Sequence, residues 1–357
     1  LNILHLTPDF NYSDGRSYYV YLLLKYLKRN GHNVFLCTNS GDSFERINDS
    51  CSNIYVNNSL SDKLKFIKSV KFLKEIIEIN KIDIIHSHHR YYELLANTAA
   101  KSFKNKTRTV FTALSIVDKR YSVEYKSDKI IAVSNSVKKM LTDKFNVKEN
   151  KIVLIPNFVD SEEIIDENIQ NEKQKFISKK NADKINILSV SRLHKDKDHL
   201  TLLKAIASLE NKNINLAIVG EGPERNSIED FSNKNNLNVK IIIPQKNLKE
   251  YYEKADLCIL SSVRDPFPGF MLQSGLHRKA FIGSEVDGIG ELIRNRFNGL
   301  LFRSVDYKDL AEKIEIFSED KELSDLCSDN LHRTVVKNYT EIQIIPEIIK
   351  LYSELLN

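Results

Sequence analysis

Short runs of β-branched and aliphatic residues recur along the 357-residue chain. Longer stretches separate them, in which apolar positions return every three or four residues. In the first half the runs are NILHL (2–6), NVFLC (33–37), IDIIH (82–86), RTVFT (108–112), KIIAV (129–133) and KIVLI (151–155). In the second they are INILSV (centred on 186–190), INLAIV (214–219), VKIII (239–243), DLCIL (256–260), AFIG (280–283) and GLLF (299–302). Several carry no polar alternation, which suits parallel strands covered on both faces. Between them, residues 17–30 place Val20, Leu23, Leu24 and Leu27 on one helical stripe. The closing EIQIIPEIIKLYSELLN puts Ile345, Ile348, Ile349, Tyr352 and Leu356 on one face, with Pro346 expected in the helix's first turn. Strand–helix alternation of this kind predicts an α/β fold with parallel, doubly wound sheets. The rhythm breaks once, at the polar stretch 161–184, read as a linker and the lead-in to a second α/β domain. The expected units are therefore 1–165 and 166–340, both Rossmann-like, with a nucleotide-containing ligand expected in the cleft they form.

Charge adds to this picture because it is uneven. Net charge is +5, but residues 1–165 hold 25 Lys/Arg against 18 Asp/Glu, and 101–150 hold 12 against 5. A basic first half suits anionic lipid or a phosphorylated acceptor; it equally suits a solvated, lysine-rich surface. The basic stretch lacks interleaved aromatics in a binding motif, so nucleic acid is not expected as a partner. No run of eighteen apolar residues occurs, and the opening LNILHL lacks the basic start of a signal peptide. Cys37, Cys51, Cys258 and Cys327 are scattered, as reduced thiols of a cytoplasmic protein would be.

Several chemistries lack their signature. The first strand leads into TPDFNYSDGRS, not G-x-G-x-x-G, and no P-loop, G-x-S-x-G or H-E-x-x-H occurs. Asp196-Lys197-Asp198 has the form of a metal–nucleotide D-x-D, but the lysine between the carboxylates competes with any cation. Arg192 and Lys197 follow the strand INILSV on a loop entering a helix. A guanidinium and an ammonium there can hold a diphosphate without metal; the plain alternative is a solvated loop. Gly220, Gly222 and Pro223 in IVGEGPER make a tight strand-to-helix turn. In SSVRDPFPGFMLQSG (261–275), Gly269 lets the chain turn and Phe270 opens a helix whose first amides can seat an anion. Asp265 lies before that corner and Gln273 after it. The alternative makes them a turn residue and a surface residue.

Taken in order, these motifs resemble a GT-B glycosyltransferase of the large retaining family four, nearly end to end. Residues 15–32 resemble its first loop and helix, closing on N-G-H-x-V. KIDIIHSHH resembles P-D-I-I-H-x-H, and SDKIIAVSNSVKKML and VLIPNFVD resemble A-D-x-I-I-A-V-S and V-I-P-N-x-V-D. SVSRLHKDKD resembles G-R-L-x-x-x-K-G, IVGEGPER resembles I-V-G-x-G-P-E-R, and DPFPGFMLQSG stands at E-x7-E. The resemblance implies the GT-B fold, with a last helix (about 341–357) crossing back to complete the N-terminal, acceptor domain. It implies that Arg192 and Lys197 bind the donor's diphosphate, and that Gly15 lets the first loop approach phosphates and sugar. It places amides near Gly269, Phe270 and Met271 on the donor, Asp265 on the transferred sugar, Gln273 on the ribose, and Pro244 and Gln245 beside the base. His88 and Arg16 are candidates for the acceptor or sugar side.

The departures fall at functional positions. Asp265 and Gln273 stand where the family has glutamates, Leu114 replaces a histidine, Asp14 and Ser191 replace glycines, and Gly290 replaces a proline. Retaining enzymes of this fold are thought to let the leaving phosphate take the acceptor's proton, so the protein stabilises charge and positions substrates. The diphosphate set is intact, so the expectation is a metal-independent, retaining hexosyltransferase. Its donor would be a UDP or GDP sugar, with no cofactor, and its acceptor a glycan or lipid-linked acceptor in bacterial surface polysaccharide synthesis. It would work in the cytoplasm or at the inner face of the membrane. Two alternatives follow from the same residues: a catalytically impaired homologue acting as a binding or partner subunit, and a nucleotide-sugar epimerase.

Overall fold

The computed structural model describes residues 1–103, 106–120, 124–163, 184–210 and 213–357. They form two compact units: Leu1–Phe158 with Glu341–Asn357, and Val159–Thr340. The expected boundary at 165/166 and most of the polar stretch 161–184 lie outside the described residues. Val159 groups with the second unit because its amide donates to Tyr339 O (2.9 Å) and it bridges Thr340 in parallel.

The first unit is built on a seven-stranded parallel sheet. Its strands are β1 (Asn2–Phe10), β2 (Asn33–Gly41), β3 (Asn53–Val56), β4 (Ile84–Ser87), β5 (Arg108–Ala113), β6 (Lys129–Ala132) and β7 (Ile152–Leu154), in the order β3-β2-β1-β4-β5-β6-β7. The order reverses between β1 and β4, whose register pairs His5 with His86. All but β3 correspond to apolar runs in the sequence. NIYV at 53–56 escapes that reading because it is a short edge strand with no fully buried residue.

The helix Glu341–Leu356 belongs to this first unit. Ile344, Ile345, Ile348, Leu351 and Tyr352 enter the core formed by Gly15–Arg29 and the strands. Pro346 stands inside the helix, not in its first turn as expected. The helix starts a turn earlier, and the ring forgoes one bond, to the carbonyl of Ile342.

In the second unit six parallel strands follow: β8 (Ile185–Val190), β9 (Ile214–Val219), β10 (Val239–Ile242), β11 (Leu257–Leu260), β12 (Ala280–Ser284) and β13 (Leu300–Phe302). Their order is β10-β9-β8-β11-β12-β13, so the winding reverses between β8 and β11. At such a reversal the loops leaving adjacent strands turn to opposite faces and open a crevice at the carboxyl edge. Among the described residues no helix is long and apolar enough to cross a membrane.

Candidate functional site

The loop leaving β8 carries the cationic pair. Arg192 is exposed (57% of its side chain), with Asp196 Oδ2 3.8 Å away. The short turn Lys195–Lys197 carries Lys197 inward, and Asp198, in the left-handed region at φ 44°, caps the helix His199–Ser208. Asp198 accepts from Thr201 N at 3.3 Å and from Thr201 Oγ1 at 2.6 Å. Asp196 has His194 Nδ1 at 2.5 Å and Lys197 Nζ at 3.9 Å. The two carboxylates of the D-x-D are thus a helix cap and the partner of neighbouring bases.

Glycines after β9 hold this loop in place. A Cβ on Gly220 would lie 2.0 Å from Ser191 O, and one on Gly222 (φ +152°) 2.3 Å from Leu193 O. Leu193 N donates to Glu221 O at 2.8 Å, and Glu224 N to Leu193 O at 3.0 Å. The turn in IVGEGPER therefore does more than start a helix: it buttresses the backbone that presents Arg192.

The loop leaving β11 meets the same place. Lys197 Nζ donates to Asp265 Oδ2 at 2.5 Å, with side-chain exposures of 11% and 8%. Ser262 Oγ is 3.4 Å from the same oxygen. The backbone of Asp265 is pinned as well: its N–H donates to Asp287 Oδ2 (3.0 Å) and its carbonyl accepts from Gly288 N (3.1 Å). Ser261 Oγ ties the two loops, donating within 3.0 Å of the carbonyls of Lys197 and Asp198.

Beyond Asp265 the chain turns into the helix Gly269–Leu276, whose Pro268 cap offers no side-chain bond to the first amides. Phe270 and Met271 bury their side chains, leaving their amides as their contribution at this end. Nothing lies within 4 Å of a Cβ built on Gly269. Gln273 sits farther along, and its Nε2 donates to Glu163 Oε2 at 3.0 Å. Glu163 thus brings a carboxylate to the neutral Gln273 from 110 residues away. No local pattern in the sequence marked Glu163. Pro244, half-buried, and Gln245, exposed, follow edge strand β10.

In the first unit, Gly15 opens the helix Gly15–Arg29, and Asp14 caps it through Ser17 N (3.3 Å). That cap explains an aspartate where the family has glycine. Arg16 reaches both Asp9 (2.6 Å) and Asp14 (2.8 Å). His88, a candidate for the substrate side, is 3% exposed, with Nε2 3.0 Å from His5 Nδ1. Its ring is part of the core, stacked on His5 and edge-on to Tyr19. One nitrogen each of His5, His86 and His88 lies within 4.8 Å of the others, a spacing that could hold a metal. Both nitrogens of His86 are already engaged, however, with Tyr352 OH and Thr112 Oγ1 at 2.6 Å each. Burial lowers all three pKa values, that of His5 to about 3, so the rings are neutral. Leu114, just past β5, packs against the same core.

Comparison with known proteins agrees with this architecture. Residues 170–333 match the family model of the glycosyl transferases group 1, and residues 13–163 that of glycosyltransferase family 4. The chain is 25% identical over 360 residues to an uncharacterised glycosyltransferase of Methanocaldococcus jannaschii, covering 91% of this chain and 90% of that one. It is 24% identical over 347 residues to the UDP-Gal:alpha-D-GlcNAc-diphosphoundecaprenol alpha-1,3-galactosyltransferase of Escherichia coli, covering 90% and 88%. The fold matches Anabaena HepE, solved with UDP-glucose, at a TM-score of 0.83, 16% identity and 99% of both chains.

Proposed function

From the premise that the chain belongs to the group 1 glycosyltransferases of GT-B fold, we propose that it moves a sugar from a nucleotide-diphosphate donor to a glycan or lipid-linked acceptor. We further propose that the reaction retains anomeric configuration and needs no metal. The observation that carries this is the meeting of Arg192, Lys197, Asp265 and the helix start at Gly269 on the carboxyl edge of one sheet.

In this reading the diphosphate lies along that edge. Arg192 and the amides near Gly269, Phe270 and Met271 receive its charge, and Lys197, oriented by Asp265, adds a second cation. Asp265 turns its remaining acceptor capacity to the transferred sugar. As the anomeric C–O bond breaks, negative charge grows on the departing phosphate, where these groups are already aimed. The acceptor hydroxyl forms the new bond on the same face and gives its proton to a leaving phosphate oxygen. No protein nucleophile is required. Cationic side chains carry the work a metal would otherwise do, and what supports this is that Asp198 is taken up as a cap and Asp196 is flanked by bases. Gln273 with Glu163 would hold the ribose, and Pro244 and Gln245 would border the base.

The acceptor is assigned to the first unit. The E. coli relative's name specifies a lipid-diphosphate acceptor, and that chemistry carried to this chain suits work at the cytoplasmic face of a bacterial membrane, in surface polysaccharide synthesis. Calorimetry with UDP and GDP, then product analysis with a panel of nucleotide sugars, tests the reading. Millimolar-or-better binding and an α-linked product from an α-linked donor are expected. No binding of either nucleotide would mark a non-catalytic relative, and donor conversion without acceptor an epimerase.

A further inference from the structure

Ser191 stands where the pattern G-R-L has its glycine, at the carboxyl end of β8 and directly before Arg192. Its backbone is committed. The amide donates to Val219 O at 3.1 Å, and the carbonyl is pressed against the next loop, where a Cβ on Gly220 would lie 2.0 Å from its oxygen. The half-buried residue therefore adds one thing that a glycine lacks, a hydroxyl. That hydroxyl is not left to itself: Ser191 Oγ has His199 Nε2 at 3.0 Å. His199 opens the helix His199–Ser208 and is 3% exposed. Its other ring nitrogen, Nδ1, is buried with no hydrogen-bond partner among the described residues.

The orphaned nitrogen decides what the serine can do. Burial, with Lys197 nearby, lowers the His199 pKa to about 4, so the ring is neutral and carries one N–H. Two seats are open to that proton. On Nδ1 it would be a buried donor without an acceptor, and Nε2 would take the proton of the serine. On Nε2 it points at Ser191 Oγ, and the nitrogen sealed in the interior is a bare lone pair. A stranded donor is the rarer defect in folded proteins, so the ring donates to the serine. An oxygen that accepts from the ring keeps its own O–H for another acceptor. Its neighbours define that acceptor. Arg192 is the next residue, and Lys197 lies on the same loop, which Ser261 ties to the loop carrying Asp265. The carboxylates of Asp196 and Asp265 already lie against basic side chains. A free O–H beside two cations suits an anionic oxygen of a ligand.

We infer that Ser191 is a further donor-binding residue, whose hydroxyl donates to an oxygen of the nucleotide's diphosphate, and that His199 is the positioning residue that turns it there. The inference deepens the proposed function and rests on that reading for the identity of the ligand. The plain alternative is a staple, in which the Ser191–His199 bond closes the base of the loop 192–198 and does nothing more.

Three measurements on the full chain test it. Nitrogen-15 spectra of protein labelled at histidine read the ring proton, with the His199 signals identified as those lost in His199→Gln. A proton on Nε2 is expected; one on Nδ1, which would consume the serine's own proton, overturns the inference. Calorimetry with UDP and GDP reads affinity. Ser191→Ala should weaken binding of whichever nucleotide the wild type takes by about ten-fold, the scale of one hydrogen bond to a charged group. His199→Leu, which removes the ring's donor, should weaken it as well, and His199→Gln, which can donate to Ser191 Oγ, should restore most of the loss. A crystal of the wild-type chain with that nucleotide bound separates contact from staple. Ser191 Oγ within about 3 Å of a phosphate oxygen is expected, and no phosphate oxygen in its reach overturns the inference. Wild-type protein that binds neither nucleotide would fail the transferase reading and this inference together. Wild-type binding that Ser191→Ala leaves unchanged would fail this inference alone, so the two failures are distinguishable.

Discussion

Lys197 and Asp265, 68 residues apart in the chain, form one nearly buried ion pair at the point where the second sheet reverses its winding. The pair makes the two residues interdependent: the lysine is aimed by the carboxylate, and the carboxylate is tolerated in the interior because of the lysine. Arg192, by contrast, reaches into solvent, and among the described residues its ion-pair partner is Asp196 at 3.8 Å.

That contrast separates two substitutions. Lys197→Ala and Arg192→Ala should each lower turnover by about 2–4 kcal/mol of transition-state stabilisation. Only Lys197→Ala should also destabilise the fold, by about 3 kcal/mol, because it strands Asp265. Arg192→Ala should stay within about 0.5 kcal/mol of wild type. Steady-state rates and urea unfolding measure both. Unchanged rates in both variants would remove the pair from the site.

Glu163 makes a family-like reversion harmful. Gln273→Glu would set two carboxylates at the 3.0 Å spacing that an amide and a carboxylate now share. Loss of about 1–2 kcal/mol in stability or nucleotide affinity is expected, from repulsion and the lost hydrogen bond. Gln273→Glu/Glu163→Gln should recover most of it. Thermal unfolding with and without UDP or GDP reads this, and a stabilised Gln273→Glu protein would contradict the pairing.

Two glycines should respond oppositely to alanine. Gly220→Ala forces a Cβ to 2.0 Å from Ser191 O, so the loop carrying Arg192 must shift, at a cost of about 2 kcal/mol or more together with lower donor affinity. Gly290 is exposed in the helix Asp287–Leu292 with open space at its Cβ. Gly290→Ala should be neutral or stabilising by up to about 1 kcal/mol, through the unfolded chain. Chemical denaturation of both decides it.

Acid should unfold the protein earlier than its carboxylates alone would dictate. Burial holds His5 near 3 and His199 near 4, and depresses His86 and His88 strongly, all against an ordinary 6.5. Below that ordinary value the unfolded chain binds protons that the folded core refuses, so stability falls as pH drops from 6.5 toward the folded values. Each fully buried histidine contributes a loss of about 1.4 kcal/mol per pH unit in that window. Unfolding midpoints between pH 7.5 and about pH 5 test the slope, and His5→Gln should flatten it. A flat profile would mean the rings are hydrated.

The strands were legible because parallel strands buried on both faces must be written as unbroken apolar runs, and β3 was missed because an edge strand escapes that demand. Helix faces followed from the same burial, as with Ile345, Ile348 and Tyr352, although Pro346 misled about where the last helix begins. The motifs placed Arg192, Lys197 and Asp265 near one edge, since loops after adjacent strands emerge together at a winding reversal. What each polar group touches was not legible. Asp265 takes Lys197, Gln273 takes Glu163, and His88 turns inward to His5. Amino-acid order alone determined which segments are buried, because periodicity is a local property. Only the tertiary structure decided which charges meet, because hydrogen-bonded partners tens to hundreds of residues apart are chosen by topology.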